Sequence, residues 1–319
     1  MSADQIIAER TRSSDESGGP ELGALTRLKY IMVRGFLWAW ARCFSLKGLY
    51  LLGQAFGFCE WAINYKRRRR FHEQLRKVFG PALDRGECTA VRGACLRHFT
   101  RTRCDKLFYL IFDKLPREKI LRRIKFHNRE ILDNAIARNK GVYCCLSHNG
   151  SHHVLLLLMA LMGYKVAGVR DRNEAPLRKY VQARYEETFP EFRDIRMFFA
   201  DTYPRALYRC FQDGFTLGTA LDVGRDRGAH LKTATVKMFG EEKKFLIGTM
   251  QIALRCGAPV MQGFVVSRKN FYFRLIAKEP LVDPDTEADE PAVIQAAMQK
   301  YADNIAEHIA RYPCHISKS

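Results

Sequence analysis

The sequence of 319 residues lacks any regular pattern of cysteines. Its ten cysteines are scattered along the chain, and no two of them form a CxxC pair. Such usage favours a reducing compartment over a disulfide-stabilised scaffold. We also expect no cleavable signal peptide, because residues 1–24 are polar and rich in serine, glycine and acidic side chains. With so little apolar surface to bury, residues 1–22 are predicted to form a disordered tail.

Long uncharged apolar runs are missing as well. No window of about 18 residues is both apolar and free of charge, so a bilayer-spanning helix is not predicted. Residues 25–65 are nevertheless rich in tryptophan, tyrosine and phenylalanine, and a basic run, residues 66–70, follows directly. An aromatic amphipathic segment that ends in a basic cluster is typical of helices that lie in the interface of an anionic membrane. The alternative is a pair of ordinary core helices followed by a solvated charged face.

Acidic residues are too few to balance the basic ones. The chain has 53 Lys and Arg against 34 Asp and Glu, which gives a formal net charge of +19. This surplus predicts an acidic partner: nucleic acid, anionic lipid headgroups or an acidic protein. The sequence has no helix-turn-helix signature, zinc knuckle or aromatic RNP-like strand of the kind that nucleic-acid-binding proteins use. We therefore expect an anionic membrane lipid and an acidic protein as partners, and no nucleic acid.

Short β-rich stretches alternate with helical ones along most of the chain. The predicted strands are 141–147, 164–170, 195–199, 215–221, 234–239, 259–266 and 271–277. The predicted helices are 88–112, 116–138, 152–162, 175–187, 203–213, 246–256 and 291–312. This alternation indicates an α/β fold, a mixed sheet flanked by helices. We divide the chain into the disordered tail (1–22), a membrane-associated helical segment (23–78) and an α/β domain (79–319).

The residues best suited to catalysis follow the first of these strands. The run from Gly141 to His153, GVYCCLSHNGSHH, reads as a buried strand, a sharp turn that carries His148, and the start of a helix. A histidine in this place can act as a general base if an acceptor holds its other ring nitrogen. His153 could be that acceptor as a neutral imidazole, although it would not stabilise an imidazolium as a carboxylate does. The alternatives are a structural histidine and a zinc site, for which no third ligand is obvious.

Six blocks of the sequence occur in a distinctive order. They are Gly48–Gly57, Gly141–His153, Gly163–Arg170 with Asn173, Pro176, Leu177 and Arg184 after it, Leu217–Asp222, Val236–Gly240 and Ile252–Val260. This set resembles the lipid A biosynthesis acyltransferases, which move a fatty acyl chain from acyl carrier protein to a lipid A precursor. They belong to the wider group of glycerolipid-type acyltransferases, in which the motif histidine is followed five positions later by Asp or Glu. Here that position holds His153, Asp222 is followed by Val223 instead of Gln, and the C-terminal motif is altered.

The resemblance implies an acyltransferase-like fold, catalysis by His148 together with His153, and no cofactor or metal. It also implies that Arg170 and Arg184 contact phosphates of the donor or acceptor, since arginine binds phosphate through two parallel hydrogen bonds, and that Asn173 binds the substrate with them. The alternative for these arginines is ion pairing with glutamates of the following helix. For Arg172 and Arg178 we favour that alternative.

Asp222 follows another predicted strand, and two roles are open for it. It either helps to bind the substrate by orienting a motif histidine or arginine, or caps a turn.

Taken together, these features predict an acyltransferase on the cytoplasmic face of the cell inner membrane. It would move an acyl chain from a thioester on an acyl carrier protein-like donor to a hydroxyl of a lipid A-like glycolipid or another lipid. The alternative function is that of a catalytically weak protein of the same fold, which binds lipid or assists assembly. The missing carboxylate at His153 supports this alternative.

Overall fold

The computed structural model describes residues 23–80, 91–170, 176–199, 204–222, 232–282 and 290–316. The helices are α1 Ala24–Cys43, α2 Ser45–Ile63, α3 Tyr65–Phe79, α4 Ala94–Ile111, α5 Arg117–Leu121, α6 Arg129–Ala137, α7 Leu155–Leu161, α8 Pro176–Thr188, α9 Pro204–Gln212, α10 Gly248–Arg255 and α11 Pro291–Arg311. The strands are β1 Ile124–His127, β2 Val142–Leu146, β3 Val166–Arg170, β4 Arg196–Phe199, β5 Thr216–Ala220, β6 Thr233–Met238, β7 Glu241–Leu246, β8 Val260–Arg268 and β9 Tyr272–Lys278. Two of the short 3₁₀ helices are His152–Val154 and Pro313–His315. The predicted tail, residues 1–22, lies outside the described residues.

Seven strands form one mixed sheet in the order β1-β9-β8-β2-β5-β3-β4. The central strand, β2, pairs in parallel with β5 and with β8, whereas β8 and β9 run antiparallel. All residues of β2 are buried, as expected for a strand of a parallel sheet that is covered on both faces. The predicted mixed sheet flanked by helices is thus confirmed.

The prediction of one helix over residues 116–138 is wrong. This segment holds α5, β1 and α6, and Asn128 has left-handed backbone (φ 54°) between the strand and α6. β1 pairs in parallel with β9, with Ile124 opposite Phe273. Because this pairing joins residues far apart in sequence, the local apolar spacing that favoured a helix could not reveal it.

Strand β7 was missed because its sequence, EEKKFL, is mostly charged. It pairs with β6 in a separate antiparallel sheet of two strands. Phe239 and Gly240 form the turn, and both have positive φ (56° and 76°), as the favoured two-residue hairpin turn requires. The predicted strand 234–239 therefore exists but belongs to this hairpin instead of the main sheet.

The N-terminal helices pack against the α/β domain through α4. Gly57 of α2 lies so close to α4 that a Cβ atom there would be 2.4 Å from the Cα of Thr100. Buried Arg34 of α1 forms an ion pair with Asp113, which follows α4. These helices carry most of the exposed apolar surface: of the fourteen exposed large hydrophobic side chains in the described part of the chain, thirteen lie within residues 25–65. Within the same described part, no helix is long and apolar enough to cross a membrane.

Candidate active site

His148 and Asp222 meet at one edge of the main sheet. β2 and β5 are parallel neighbours, with Leu146 opposite Ala220 in the register. His148 and Asp222 each lie two positions beyond that pair. Because neighbouring parallel strands end at the same edge, the two side chains come together although 74 positions separate them.

The Asp222 carboxylate holds both the ring and the backbone of His148. His148 Nδ1 lies 2.8 Å from Asp222 Oδ1, and the backbone N–H of His148 donates to Oδ1 and Oδ2 at 3.0 and 2.9 Å. The side-chain amide of Asn149 donates to Oδ2 at 3.4 Å. The Asp222 side chain is 10% exposed, whereas that of His148 is 44% exposed. This geometry favours the proton on Nδ1 and leaves Nε2 to act as a base.

The structure places Asp222, and not the expected His153, at His148 Nδ1. The ring of His153 packs edge-on against Tyr109 at 5.9 Å, and the histidine beside His148 is His152, at 5.1 Å between ring centres. Burial lowers the pKa of His152 to about 3 and that of His153 to about 4, so both rings are neutral near neutral pH.

Within the described ranges, no group of three or more His, Cys, Asp or Glu side chains is arranged to hold a metal ion.

A cavity of about 400 Å³ begins at His148. It crosses β5 and β3 and reaches Met197 on β4. Leu156, Leu157 and Val169 form an apolar part of its wall, and histidines, Arg178 and Gln182 form a polar part. Three strand spacings separate β2 from β4, which corresponds to about 14 Å. The cavity is therefore elongated, with His148 at one end, and Asp222 holds His148 from outside the cavity lining.

A buried polar network braces the loop that carries His148. Ser151 Oγ donates to Asp105 Oδ2 at 2.6 Å, and Arg101 Nη1 and Ser267 Oγ donate to the same oxygen at 3.0 and 3.3 Å. Burial raises the pKa of Asp105, and the charge of Arg101 opposes that rise. The network connects the loop to α4 and β8.

The backbone of the same loop is fixed at Gly150. Its φ is 77°, and a Cβ atom there would lie 2.7 Å from the carbonyl oxygen of Val265. The N–H of Gly150 donates to His315 O at 3.0 Å, and the N–H of Ser151 donates to Val265 O at 3.2 Å. The loop is thus held by β8 and by the C-terminal turn, and this position requires glycine.

The arginines expected at the substrate lie in different places. Arg184 Nη1 donates to Glu187 Oε2 at 2.6 Å within α8, which is the ion-pair alternative. Arg170 ends β3, but its side chain, like the whole of Asn173, lies outside the described residues. Arg178, for which an ion pair on the helix was favoured, lines the cavity beside His153.

The sequence interpretation missed the face of α8 that lines the cavity. Arg178, Gln182 and Tyr185 all belong to this lining. Their spacing of four and three residues puts them on one side of a helix, so the sequence pattern could have predicted that they share a face. Tyr109 also lines the cavity, but it comes from α4, and only the packing of its ring against Tyr185, at 5.4 Å, brings it there.

The fold and the site together define an α/β protein in which a histidine, paired with an aspartate, lies at one end of an elongated cavity. The family model for bacterial lipid A biosynthesis acyltransferases matches residues 20–314. The chain belongs to this family, as its ordered sequence blocks predicted. No individual curated protein matches the chain.

Proposed function

We propose that the protein transfers a fatty acyl chain from a thioester on an acidic acyl carrier protein to a hydroxyl of a lipid A-like glycolipid or another lipid acceptor. The observation that carries this proposal is His148, held by Asp222, at one end of an elongated cavity whose wall is partly apolar. The cavity suits an acyl chain, and the pair supplies a base where the chain's carbonyl end would lie. Membership of an acyltransferase family and the net charge of +19 are consistent with this chemistry.

The proposed reaction needs no acyl-enzyme. Nε2 of His148 takes the proton of the acceptor hydroxyl while the hydroxyl oxygen attacks the thioester carbonyl carbon, which becomes a tetrahedral oxyanion. The backbone N–H groups of His152 and His153 begin a helical turn, where helix geometry provides no carbonyl of the same helix for them, and we assign the oxyanion to these donors. The intermediate then breaks its C–S bond, and His148 returns the proton to the thiolate. The products are an ester and a free thiol.

Asp222 supplies the carboxylate that the motif position lacks. In the proposed mechanism it keeps the His148 ring in one tautomer and stabilises the imidazolium that forms during proton transfer. The alternative of a catalytically weak lipid-binding protein depended on the absence of such a carboxylate. The Asp222 carboxylate at His148 supports the enzyme over this alternative.

We also propose that the protein works on the cytoplasmic face of the inner membrane, with α1 and α2 in the membrane interface. Exposed apolar side chains, such as Trp38 and Phe44, support this arrangement. α3 follows directly and carries the exposed basic residues Lys66, Arg69 and Arg70. Basic side chains next to an inserted apolar face strengthen binding to an anionic leaflet.

The proposal is tested with purified protein, an acyl carrier protein that bears an acyl thioester, and a bacterial lipid extract. We expect thiol release together with a lipid whose mass has increased by one acyl group. His148→Ala should retain its fold and lose about 10²–10⁴-fold in rate. Near wild-type thiol release in that variant would refute the base assignment. A folded wild-type protein that consumes no thioester, and cells whose lipids are the same with and without it, would refute the function.

A further inference from the structure

A groove of about 830 Å³ lies between α2, α4 and α8, next to the catalytic cavity. Tyr109, His153 and Arg178 line both spaces. The ring centre of His153 is 5.8 Å from that of His152, which is 5.1 Å from that of His148. The groove therefore meets the catalytic cavity at His153, and the ring of His152 lies between His153 and the base His148.

The floor of this groove is apolar. It is formed by Phe56 of α2, Leu107 and Leu110 of α4, and Leu177 of α8. Phe56 is 48% exposed and belongs also to the exposed apolar face of the N-terminal helices. The groove is thus continuous with the surface that we assign to the membrane interface, so that a lipid chain can enter it from there.

The rim of the groove carries more positive than negative charge. Arg103, Lys106 and Arg178 line it, and Glu60 is the one acid among the described residues that do so. Glu60 already accepts hydrogen bonds from Arg67 and Arg103. The groove therefore has an apolar floor and a positive rim, which is the complement of a lipid with an anionic group next to its chain.

None of the described residues that line both the groove and the cavity is acidic. His153 is neutral near neutral pH, because burial, followed by the charges of Arg178, Arg101 and Lys106, lowers its pKa to about 4. A carboxylate in its place would stand beside these cations and repel an anion that approached them. The exchange of the motif acid for histidine suits an anionic ligand.

We infer that the groove binds the lipid acceptor, with one chain on the apolar floor, a phosphate held by Lys106 and Arg178, and the polar end of the lipid at the junction with the active site. This inference rests on the proposed function for naming the lipid the acceptor, whereas binding itself depends on the groove alone. It leaves the catalytic cavity to the acyl chain of the donor.

Calorimetric titration of the full chain with dodecyl phosphate, below the concentration at which it forms micelles, tests the binding. We expect one site that binds dodecyl phosphate at least about tenfold more tightly than inorganic phosphate or dodecyl maltoside, because only dodecyl phosphate combines chain and charge. Equal affinity for dodecyl phosphate and inorganic phosphate would indicate a site for free phosphate and overturn the inference. Equal affinity for dodecyl phosphate and dodecyl maltoside would overturn it as well.

Variants of the groove locate the site. Lys106→Glu and Arg178→Glu change exposed side chains, and each should weaken dodecyl phosphate binding at least about tenfold, the loss expected for a charge-assisted hydrogen bond. Leu110→Trp should weaken binding of the chain by filling the floor. Lys179→Glu, an exposed neighbour on α8 that does not line the groove, is the matched control and should bind normally. Equal losses in the control and in Arg178→Glu would refute the site.

His148→Ala separates this inference from the proposed function. The variant should bind dodecyl phosphate normally while acyl transfer is lost. If the wild-type protein binds dodecyl phosphate through Lys106 but has no transferase activity, the proposed function is refuted and the binding groove stands. If the protein transfers acyl chains but the Lys106 and Arg178 variants have the wild-type KM for the acceptor, the groove is refuted as the acceptor site and the proposed function stands.

Discussion

His148 Nδ1 and Asp222 Oδ1 lie 2.8 Å apart across the ends of two neighbouring strands. The same carboxylate accepts the backbone N–H of His148, so Asp222 positions the loop as well as the ring. The contact depends on the register of β2 against β5, since a slip of one residue would turn one side chain to the opposite face of the sheet. The chain thus holds a histidine–carboxylate pair although the residue five positions after His148 is not an acid.

Removing the carboxylate should lower the rate without removing the base. We expect Asp222→Asn to reduce kcat by about 10³–10⁴-fold, since the amide neither stabilises an imidazolium nor favours the required tautomer. Steady-state kinetics of thiol release measure the effect. Asp213→Asn is the control, because Asp213 pairs with Arg196 at the surface, outside the cavity lining. An Asp222→Asn variant with the kcat of the control would refute the role of Asp222.

Two serines that donate to the same buried carboxylate should differ in their effect on catalysis. Ser151 belongs to the His148 loop, and Ser267 belongs to β8. Each change to alanine should cost about 1–3 kcal/mol of stability, measured by urea unfolding. Only Ser151→Ala should also lower kcat, by about 10–100-fold, because a small displacement of the base is costly. Equal kcat values in the two variants would show that the brace does not position His148.

Acyl-chain preference should depend on the far end of the cavity. Met197 lines the cavity three strands away from His148. Met197→Trp should reduce the length of chain that fits, and each methylene left out of the cavity should cost about 0.8 kcal/mol, or about fourfold in kcat/KM. Competition between acyl donors of different length, read by mass spectrometry, measures the change. Met32→Trp, outside the cavity on α1, should keep the wild-type preference.

Membrane binding should have an electrostatic part that α3 supplies. Neutralising exposed Lys66, Arg69 and Arg70 to glutamine should weaken binding to anionic vesicles by about 1 kcal/mol for each residue and make it less sensitive to salt. Arg67 is left unchanged, because its ion pair with Glu60 is largely buried, whereas the pair of Arg69 with Glu73 is exposed. Vesicle flotation measures the effect, and binding to uncharged vesicles should change little. Unaltered binding to anionic vesicles would refute this part of the proposal.

Acid should destabilise the fold through its buried histidines. Burial lowers the pKa of His308 to about 3 and that of His98 to about 4, against 6.5 for an ordinary histidine. At a pH between these lowered values and 6.5, the two histidines are protonated in the unfolded chain and neutral in the folded one, so the unfolded chain binds more protons. The free energy of unfolding therefore falls as the pH falls below about 6.5, by about 1.4 kcal/mol per pH unit for each group.

Thermal unfolding over this range checks the expectation. The midpoint should decrease steadily from about pH 6.5 towards about pH 4. His308→Gln should make this decrease less steep, because the variant lacks the contribution of one buried histidine. The same slope in wild type and variant would contradict the assignment to His308.

Much of the site could be predicted from the sequence because its signals are local. The run from Gly141 to His153 folds as a strand, a turn and a helical segment, and these depend on apolar spacing and turn residues within a dozen positions. The strands 164–170, 215–221 and 259–266 were found in the same way. The order of the blocks was enough to indicate the family, since such an order is a property of the chain itself.

The partner of His148, by contrast, was decided only by the tertiary structure. Asp222 reaches His148 because β5 lies next to β2 in register, whereas His153 turns toward Tyr109. The strand within 116–138 likewise exists only because β9 lies beside it. The sequence alone determined which residues could carry the chemistry. Strand pairing and helix packing decided which of them meet, because these contacts join residues that no local pattern connects.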